Sequence, residues 1–177
     1  MENIIYKELT VEECERIKEI NASQYIGKAW REVNGKRQLV EINYQDLDWP
    51  NGYKHHYSNL KKTIINDGVA FGAFERDGKL LGFATINPYF FGKKFNYVLL
   101  DQLFISLEHR NKGIGKKLFM LCVDVARKWT ADKIYICAGS AEETIAFYFA
   151  LGCKESLEIN EELYESDPRD YQLEFSL

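Results

Sequence analysis

The residues best suited to chemistry lie in one short turn, between Arg110 and Lys117. Gly113 and Gly115 separate an apolar strand from a helix, and glycine lets backbone N–H groups converge without obstruction by a Cβ atom. Such amides at a helix N-terminus bind anions, because the helix dipole is positive there. The turn carries four cations and no acid: Arg110, Lys112, Lys116 and Lys117. These features predict a phosphate or pyrophosphate ligand, and the plainer alternative is a solvated basic helix start.

Two well-known phosphate loops do not match this turn. A Walker loop has a glycine five residues before its Gly-Lys pair, but Arg110 holds that place before Gly115, and Lys117 replaces the hydroxyl residue. A dinucleotide fingerprint has a third glycine where Leu118 stands. The turn therefore predicts neither a P-loop NTPase nor a Rossmann dinucleotide site.

The motif that does fit is Arg/Gln-x-x-Gly-x-Gly/Ala, present as Arg110-Asn111-Lys112-Gly113-Ile114-Gly115. Downstream come a second apolar segment, 134–138, and Phe147-Tyr148 four residues before Gly152. In these residues the chain resembles the GNAT superfamily of acyl-CoA-dependent N-acetyltransferases. Residue-level resemblance covers about 103–153, and the order of elements agrees over most of the chain. Ala141, where many members have asparagine, and Cys153, where an aromatic residue is usual, depart from the pattern.

The resemblance implies acetyl-CoA as co-substrate and no metal. Backbone groups of Leu103 and Ile105 would pair with the pantetheine arm, amides from Lys112 to Lys116 would hold the pyrophosphate, and Ser140 would replace the missing asparagine. The implied cofactor-binding set is Leu103, Phe104, Ile105, Arg110, Asn111, Lys112, Gly113, Ile114, Gly115, Lys116, Ser140 and Thr144.

The implied reaction is transfer of the acetyl group to a primary amine of a small molecule or peptide, by direct attack in a ternary complex. Tyr148 would protonate the departing thiolate, or it is one residue of the buried stripe of a short helix. Two alternatives stay open: a non-catalytic CoA-binding sensor or regulatory module of the same fold, and a binder of another anion at the basic turn.

The amine must lose a proton, so the chemistry needs a base. Asp101 is the first candidate, because an ionisable residue in a central strand is seldom a packing residue, and strand alternation puts it on one face with Leu103 and Ile105. His55 and His56, on an irregular stretch, are the runners-up.

Four residues are candidates for binding the acceptor: Trp49, Tyr53, His55 and Asp101. For the two aromatic residues, lining an acceptor pocket and filling the core are equally supported. Residues 154–177 carry eight acids and two bases, a net charge of −6 that either attracts a cationic amine or is a solvated tail.

Several elements must position these residues. The pattern predicts strands at 4–9, 97–106, 133–138, 153–158 and 171–175, and a hairpin of 69–74 with 80–86 around Asp77-Gly78. Helices are predicted after the Thr10-x-x-Glu13 capping box, at 60–65, from Ile114 to Trp129, and at 142–151 behind a second capping box at Ser140. Residues 30–57 have the weakest periodicity and predict a loop-rich stretch. Strand, helix and strand around the turn predict a parallel crossover.

Composition sets the fold class. With 177 residues, 46% hydrophobic and 14% aromatic, and a net charge of −4, the chain predicts one globular domain, 1–177, and excludes disorder over most of its length. We expect an α+β domain of the GNAT acyl-CoA N-acyltransferase fold, with a mixed central sheet of about 6–7 strands flanked by about 4 helices. The start of the chain and its apolar runs predict a cytoplasmic protein with no membrane partner. The acidic net charge argues against a nucleic-acid partner, and the wide spacing of the four cysteines predicts free thiols. The resemblance allows a homodimer.

Overall fold

The computed structural model describes residues 4–177 as an α+β domain. Its strands are β1 (Ile5–Glu8), β2 (Gln24–Val33), β3 (Lys36–Asp46), β4 (Val69–Phe74), β5 (Leu80–Phe91), β6 (Tyr97–Ile105), β7 (Lys133–Ala138), β8 (Lys154–Glu155) and β9 (Tyr171–Ser176). Its α-helices are α1 (Tyr53–Ile65), α2 (Ile114–Lys128), α3 (Glu142–Ala150) and α4 (Glu161–Ser166). Two short 3₁₀ helices cover Cys14–Glu19 and Leu107–His109.

Seven strands form one mixed sheet in the order β1-β4-β5-β6-β7-β9-β8. Among the strands of the described residues, only β6 and β7 are parallel neighbours, and α2 connects them, so the predicted crossover and the predicted fold class are confirmed. All other pairs in this sheet are antiparallel. One strand junction in the middle of the sheet therefore differs from the rest.

Two apolar clusters hold the layers together. Residues of α2 and α3, including Leu118, Phe119 and Ile145, pack on one face of the sheet. The other face is covered by α1 and the first 3₁₀ helix, through residues such as Leu60 and Ile17. Cys14, Ile17 and Ile20 are buried, and their three-residue spacing is the period of a 3₁₀ helix, the form that the predicted helix takes.

The predicted loop-rich stretch is wrong. Residues 24–46 form a long antiparallel hairpin, β2 and β3, and α1 begins at Tyr53 instead of at residue 60. Asn34 and Gly35 join the strands with φ of 51° and 73°, values that two-residue hairpin turns require. Burial could not reveal these strands, because the hairpin is mostly exposed and only Ala29 is fully buried.

Candidate active site

A gap in the sheet is the centre of the site. Parallel pairing of β6 with β7 runs from Tyr97 and Lys133 to Leu100 and Ile136, and no further pair follows. Beyond Leu100, β6 continues to Ile105 and stays paired with β5 on its other edge. Within residues 4–177, the β7-facing edge of 101–105 is therefore without a strand neighbour. An extended ligand with amide groups suits such an edge, because strand backbone needs hydrogen-bond partners.

A bulge at the start of the gap decides where Asp101 points. On β5, Thr85 pairs with Gln102 and Ile86 pairs with Leu100, so Asp101 has no partner in that register. The predicted shared face of Asp101, Leu103 and Ile105 is therefore wrong, since the extra residue shifts the alternation. Leu103 and Ile105 pack against the α2 cluster, while Asp101 lies near His55, His56 and Lys62 of α1.

The Asp101 side chain is accessible to solvent, but protein atoms surround much of its carboxyl group. Burial raises the pKa of its carboxyl group, and the positive charges of His55, His56 and Lys62 oppose that rise. A carboxylate with a raised pKa is a stronger proton acceptor than an ordinary surface aspartate. Its position beside the gap fits the predicted role of a base.

The basic turn lies at the end of β6, next to the gap. Asn111 and Gly113 have φ of 61° and 83°, and α2 begins at Ile114 without a side-chain cap and with no acid in its first turn. A Cβ on Gly113 would meet nothing within 4 Å, so there is open space in front of the helix. Uncapped amides of a helix start point into that space. Lys112, Lys116 and Lys117 are all exposed.

Two other residues of the motif have structural contacts. A Cβ on Gly115 would lie 3.3 Å from the Phe147 ring, so this glycine permits close packing of α2 on α3. The Arg110 Nε donates a hydrogen bond to the Ile105 carbonyl oxygen at 3.0 Å, which fastens the turn to the end of β6. Burial lowers the pKa of Arg110.

Tyr148 lies on α3, the helix that follows β7, and is 6% exposed. Its ring packs edge-on against Phe147 and Phe119, at centroid distances of 5.1 and 6.2 Å. Burial raises the pKa of its phenol, so the hydroxyl keeps its proton at neutral pH. The ring is thus part of the core, and protonation of a thiolate by its hydroxyl stays a prediction.

The β2–β3 hairpin contacts the far end of β7. The Ser140 hydroxyl accepts a hydrogen bond from Arg31 at 2.6 Å, and its carbonyl oxygen accepts one from the Trp30 amide at 2.7 Å. The predicted capping box at Ser140 is wrong, because Ala141 is the N-cap of α3 and no side chain caps that helix. Thr144, in the first turn of α3, is half-buried.

The structure separates the four predicted acceptor residues. His55 is exposed and lies near Asp101. Trp49 is 6% exposed, packed at 4.9 Å from the Phe104 ring, and so is a core residue. The ring of Tyr53 stacks on Tyr57 at 6.0 Å, and its hydroxyl donates to the Glu15 carbonyl oxygen.

His56, the other candidate base, is buried between two oxygen atoms. Its Nδ1 lies 2.8 Å from Gln102 Oε1, and its Nε2 lies 2.5 Å from the Pro50 carbonyl oxygen. Both ring nitrogens are thus engaged, which leaves Asp101 and His55 as the accessible members of this group.

Three residues at the gap were missed by sequence reasoning: Cys137, Asp170 and Gln172. The Cys137 thiol donates to Gln172 Oε1 at 3.4 Å, and burial raises its pKa to about 12, with Asp170 and Asp101 adding to the rise. Burial also raises the pKa of Asp170 to about 6, and Asp167 adds to it while Arg169 opposes it. The sequence signal that could have found two of them is the pair of polar residues, Asp170 and Gln172, on either side of Tyr171 at the start of β9.

Within residues 4–177, no group of three or more His, Cys, Asp or Glu side chains is placed to hold a metal ion. Among the described helices, none is both long and apolar enough to cross a membrane.

Comparison with known proteins decides the family. Residues 37–153 match the model of the acetyltransferase (GNAT) family. The chain belongs to this family. The matched region contains both strands of the gap, the basic turn and Tyr148, so the GNAT resemblance of the sequence is confirmed. No curated protein matches the chain.

Solved structures share the GNAT fold over nearly the whole chain. Nourseothricin acetyltransferase is 17% identical, with a TM-score of 0.72 over 98% of this chain and 97% of that one. A protein assigned as a streptothricin acetyltransferase of Bacillus anthracis, in complex with acetyl coenzyme A, is 12% identical, with a TM-score of 0.70 over 99% of both chains. The PaiA N-acetyltransferase of Thermoplasma acidophilum, in complex with coenzyme A, is 17% identical, with a TM-score of 0.61 over 99% of both chains. At these identities the likeness shows the fold.

Proposed function

We propose that this GNAT acetyltransferase transfers the acetyl group of acetyl-CoA to a primary amine of a small molecule or peptide, by direct attack in a ternary complex. The observation that carries the proposal is the gap between β6 and β7, which has an open anion site at one end and the Asp101 carboxylate beside it. Two structural neighbours hold acetyl-CoA or coenzyme A, which supports the same ligand here.

The site fits the co-substrate at both of its polar parts. The pyrophosphate would bind at the uncapped start of α2, where the amides of the first turn and exposed lysines favour an anion. The pantetheine arm would lie along the β7-facing edge of Leu103 to Ile105. Its amides would supply the hydrogen bonds that a neighbouring strand supplies elsewhere in the sheet.

Two proton transfers complete the proposed reaction: one proton leaves the amine, and another is donated to the thiolate. Asp101 would take a proton from the amine, whose nitrogen then forms a bond to the acetyl carbon while the carbon–sulfur bond breaks. Tyr148 would donate its hydroxyl proton to the thiolate. A strand amide aimed at the carbonyl oxygen would stabilise its developing charge, and such a donor contributes about 3–4 kcal/mol in other acyl-transfer sites.

Release of free thiol from acetyl-CoA tests the proposal. The amines are polyamines, aminoglycosides, amino acids and peptide N-termini, and coenzyme A binding is followed separately by melting temperature. Coenzyme A at 100 times its dissociation constant should stabilise the fold by about 2.7 kcal/mol. A rise in melting temperature without thiol release from any amine would favour the non-catalytic CoA-binding module, and no rise would exclude both functions.

Asp101→Asn tests the base. The amide keeps the shape of the side chain but accepts no proton at neutral pH, so we expect kcat/KM for the amine to fall by about 10²-fold or more. The dissociation constant of coenzyme A should stay within about twofold, as measured by calorimetry. Asp124→Asn is the matched control, because it changes the same charge at an exposed position of α2. Unchanged turnover in Asp101→Asn would assign the proton transfer to another group.

A further inference from the structure

One histidine lies buried against the bulge at the start of the gap. His56, in the first turn of α1, is 7% exposed. Its Nδ1 lies 2.8 Å from Gln102 Oε1, and its Nε2 lies 2.5 Å from the Pro50 carbonyl oxygen. A carbonyl oxygen can only accept a hydrogen bond, so the proton at Nε2 belongs to the imidazole. The charge of the ring therefore depends on which end of the Gln102 amide faces Nδ1.

A second hydrogen bond fixes the orientation of the Gln102 amide. Gln102 Nε2 donates to the His56 carbonyl oxygen at 3.4 Å. The flipped amide would bring Oε1 to that carbonyl oxygen and leave two acceptors facing each other, so the observed orientation is the one that makes both hydrogen bonds. Oε1 then accepts from Nδ1. Both ring nitrogens donate, and an imidazole that donates from both nitrogens is an imidazolium ion.

The bulge places Asp101 on the same face of the sheet as Gln102. Leu100 and Leu103 pack in the cluster on the α2 face, whereas Gln102 contacts His56 of α1. Asp101 is the extra residue between Leu100 and Gln102 in the register with β5. Alternation from Leu100 directs Asp101 to the α1 face, and the bulge directs Gln102 to that face too. The carboxyl group and the histidine therefore lie on one side of the sheet.

Asp101 supplies the opposite charge that a buried imidazolium needs. The carboxyl group of Asp101 feels the positive charges of His55, His56 and Lys62, which oppose the effect of burial on its pKa. His55 and Lys62 are exposed, so salt screens their charges. The charge of His56 is buried, so its effect on Asp101 persists when the salt concentration rises.

Uncharged aromatic side chains make other contacts of the His56 ring. The ring centroids of Trp49, from the turn before α1, and Phe104, from β6, lie 5.2 and 4.8 Å from that of His56. His55, the titratable neighbour on α1, lies 5.1 Å away. Asp101 is thus the acid that these contacts and charges place on the side of His56.

We propose that His56 is a positioning residue, a buried imidazolium ion that holds the bulge of β6 in place and keeps the Asp101 carboxyl group ionised. Its hydrogen bonds with Gln102 join α1 to the bulge, and its charge stabilises the carboxylate form of Asp101. Because the carboxylate is the form that accepts a proton, His56 sets the pH range in which Asp101 can act. This inference rests on the proposed function for the role of Asp101, but the charge of His56 can be measured without turnover.

Nitrogen NMR of the wild-type protein, with isotope-labelled histidine, tests the charge. A protonated ring nitrogen and a bare one resonate far apart, so the spectrum counts the ring protons of each of the three histidines. His55→Gln and His109→Gln each remove one set of signals and leave that of His56, which assigns it. We expect both His56 nitrogens to carry a proton at pH 7. One bare nitrogen at that pH would overturn the inference.

His56→Gln removes the charge and keeps a polar amide, and carbon NMR of the Asp101 carboxyl group follows the consequence. We expect the titration midpoint of Asp101 to rise by about 0.5 to 1 pH unit, because the carboxylate loses a buried opposite charge. His55→Gln is the matched control: in about 1 M salt its effect should shrink, while that of His56→Gln persists. Melting temperatures show whether each variant folds. An unchanged midpoint in folded His56→Gln protein would contradict the role assigned to His56.

The pH profile of kcat/KM gives a further test if amines release thiol. Its acid limb reports the proton acceptor of the free enzyme, so in His56→Gln this limb should move to higher pH while the plateau changes by less than about threefold. An equal fall at all pH values would leave His56 with a structural role only. If no amine releases thiol, the proposed function fails, and the two NMR measurements still decide the charge of His56 and its effect on Asp101.

Discussion

At the residue scale, burial determines what each titratable side chain can do. The Tyr148 phenol is nearly enclosed, so its pKa is raised; it keeps its proton near neutral pH and is a weaker acid than a free phenol. Asp101 also has a raised pKa, but it stays accessible and keeps three cationic or titratable neighbours. The same physical effect thus keeps the proton on the phenol and makes the carboxylate a stronger proton acceptor.

Replacing Tyr148 with phenylalanine removes one hydroxyl and leaves the ring packing on Phe119 unchanged. We expect kcat to fall by about 10- to 100-fold, at or below the low end of acid–base contributions, because a thiolate also leaves without full protonation. The dissociation constant of coenzyme A should change by less than about twofold. The melting temperature should hold or rise, since the hydroxyl has no hydrogen-bond partner within residues 4–177 to lose.

Tyr44→Phe is the control for that experiment, because Tyr44 is 53% exposed on the hairpin. Normal turnover in Tyr148→Phe would leave the tyrosine with a packing role only.

At the element scale, the start of α2 combines backbone conformation with open space. Gly113 has φ of 83°, and nothing lies within 4 Å of where its Cβ would be. Gly78, in the β4–β5 turn, has φ of 93° and equally open surroundings. The two glycines thus impose similar backbone demands, but only one of them faces the proposed phosphate site.

This pair allows backbone strain to be separated from ligand binding. Gly113→Val and Gly78→Val should each destabilise the fold by roughly 1–2 kcal/mol or more, because β-branched residues rarely adopt positive φ. Only Gly113→Val should abolish the rise in melting temperature caused by coenzyme A. Equal loss of that rise in both variants would point to general unfolding and against a phosphate site at this turn.

At the scale of the whole molecule, β6 and β7 are hydrogen-bonded at one end of their junction and separate at the other. Near the tied end, Glu174 of β9 accepts from Lys133 Nζ at 2.5 Å and from the Tyr97 hydroxyl at 2.6 Å. Both partners are buried and stand opposite each other in the first β6–β7 pair. The gap thus opens from a junction whose far end is held by a buried ionic network.

Glu174→Gln should destabilise the protein by about 3 kcal/mol at pH 7, because it leaves the Lys133 ammonium buried without a counter-charge. Burial alone raises the pKa of Glu174, but hydrogen bonds from Lys133 and Tyr97 lower it on balance. A lowered pKa means that the stabilisation is present above the ordinary glutamate value, near 4.5, and is lost as the pH falls through the folded-state value.

Urea unfolding of both forms between pH 3 and pH 8 measures the difference, which should shrink toward acidic pH. Glu155→Gln, at an exposed ion pair with Arg37, is the control and should cost less than about 1 kcal/mol. A constant difference at all pH values would contradict the ionic origin.

Much of the fold follows from local signals. The basic turn, the Asp77-Gly78 hairpin, the stripe of α2 and the bounds of β7 each depend on residues close together in the chain, so periodicity and glycine placement were sufficient. Local signals were also sufficient to identify the family, because the motif at 110–115 and Phe147-Tyr148 are short segments at fixed spacing. The Asn34-Gly35 pair was a local signal for the turn of the β2–β3 hairpin. The strands on either side of it are charged and mostly exposed, so they lack the alternation of apolar and polar residues that would have supported it.

The arrangement of the acceptor side was decided only by tertiary structure. The bulge that turns Asp101 toward α1 depends on the register between β5 and β6, which no local pattern encodes. Burial of Trp49 and the Arg31 contact with Ser140 depend on how separate elements pack. Cys137 and Gln172 meet because β7 and β9 pair beside the end of β6. Their sequence separation exceeds the range over which backbone preferences act, so the fold alone assembles them.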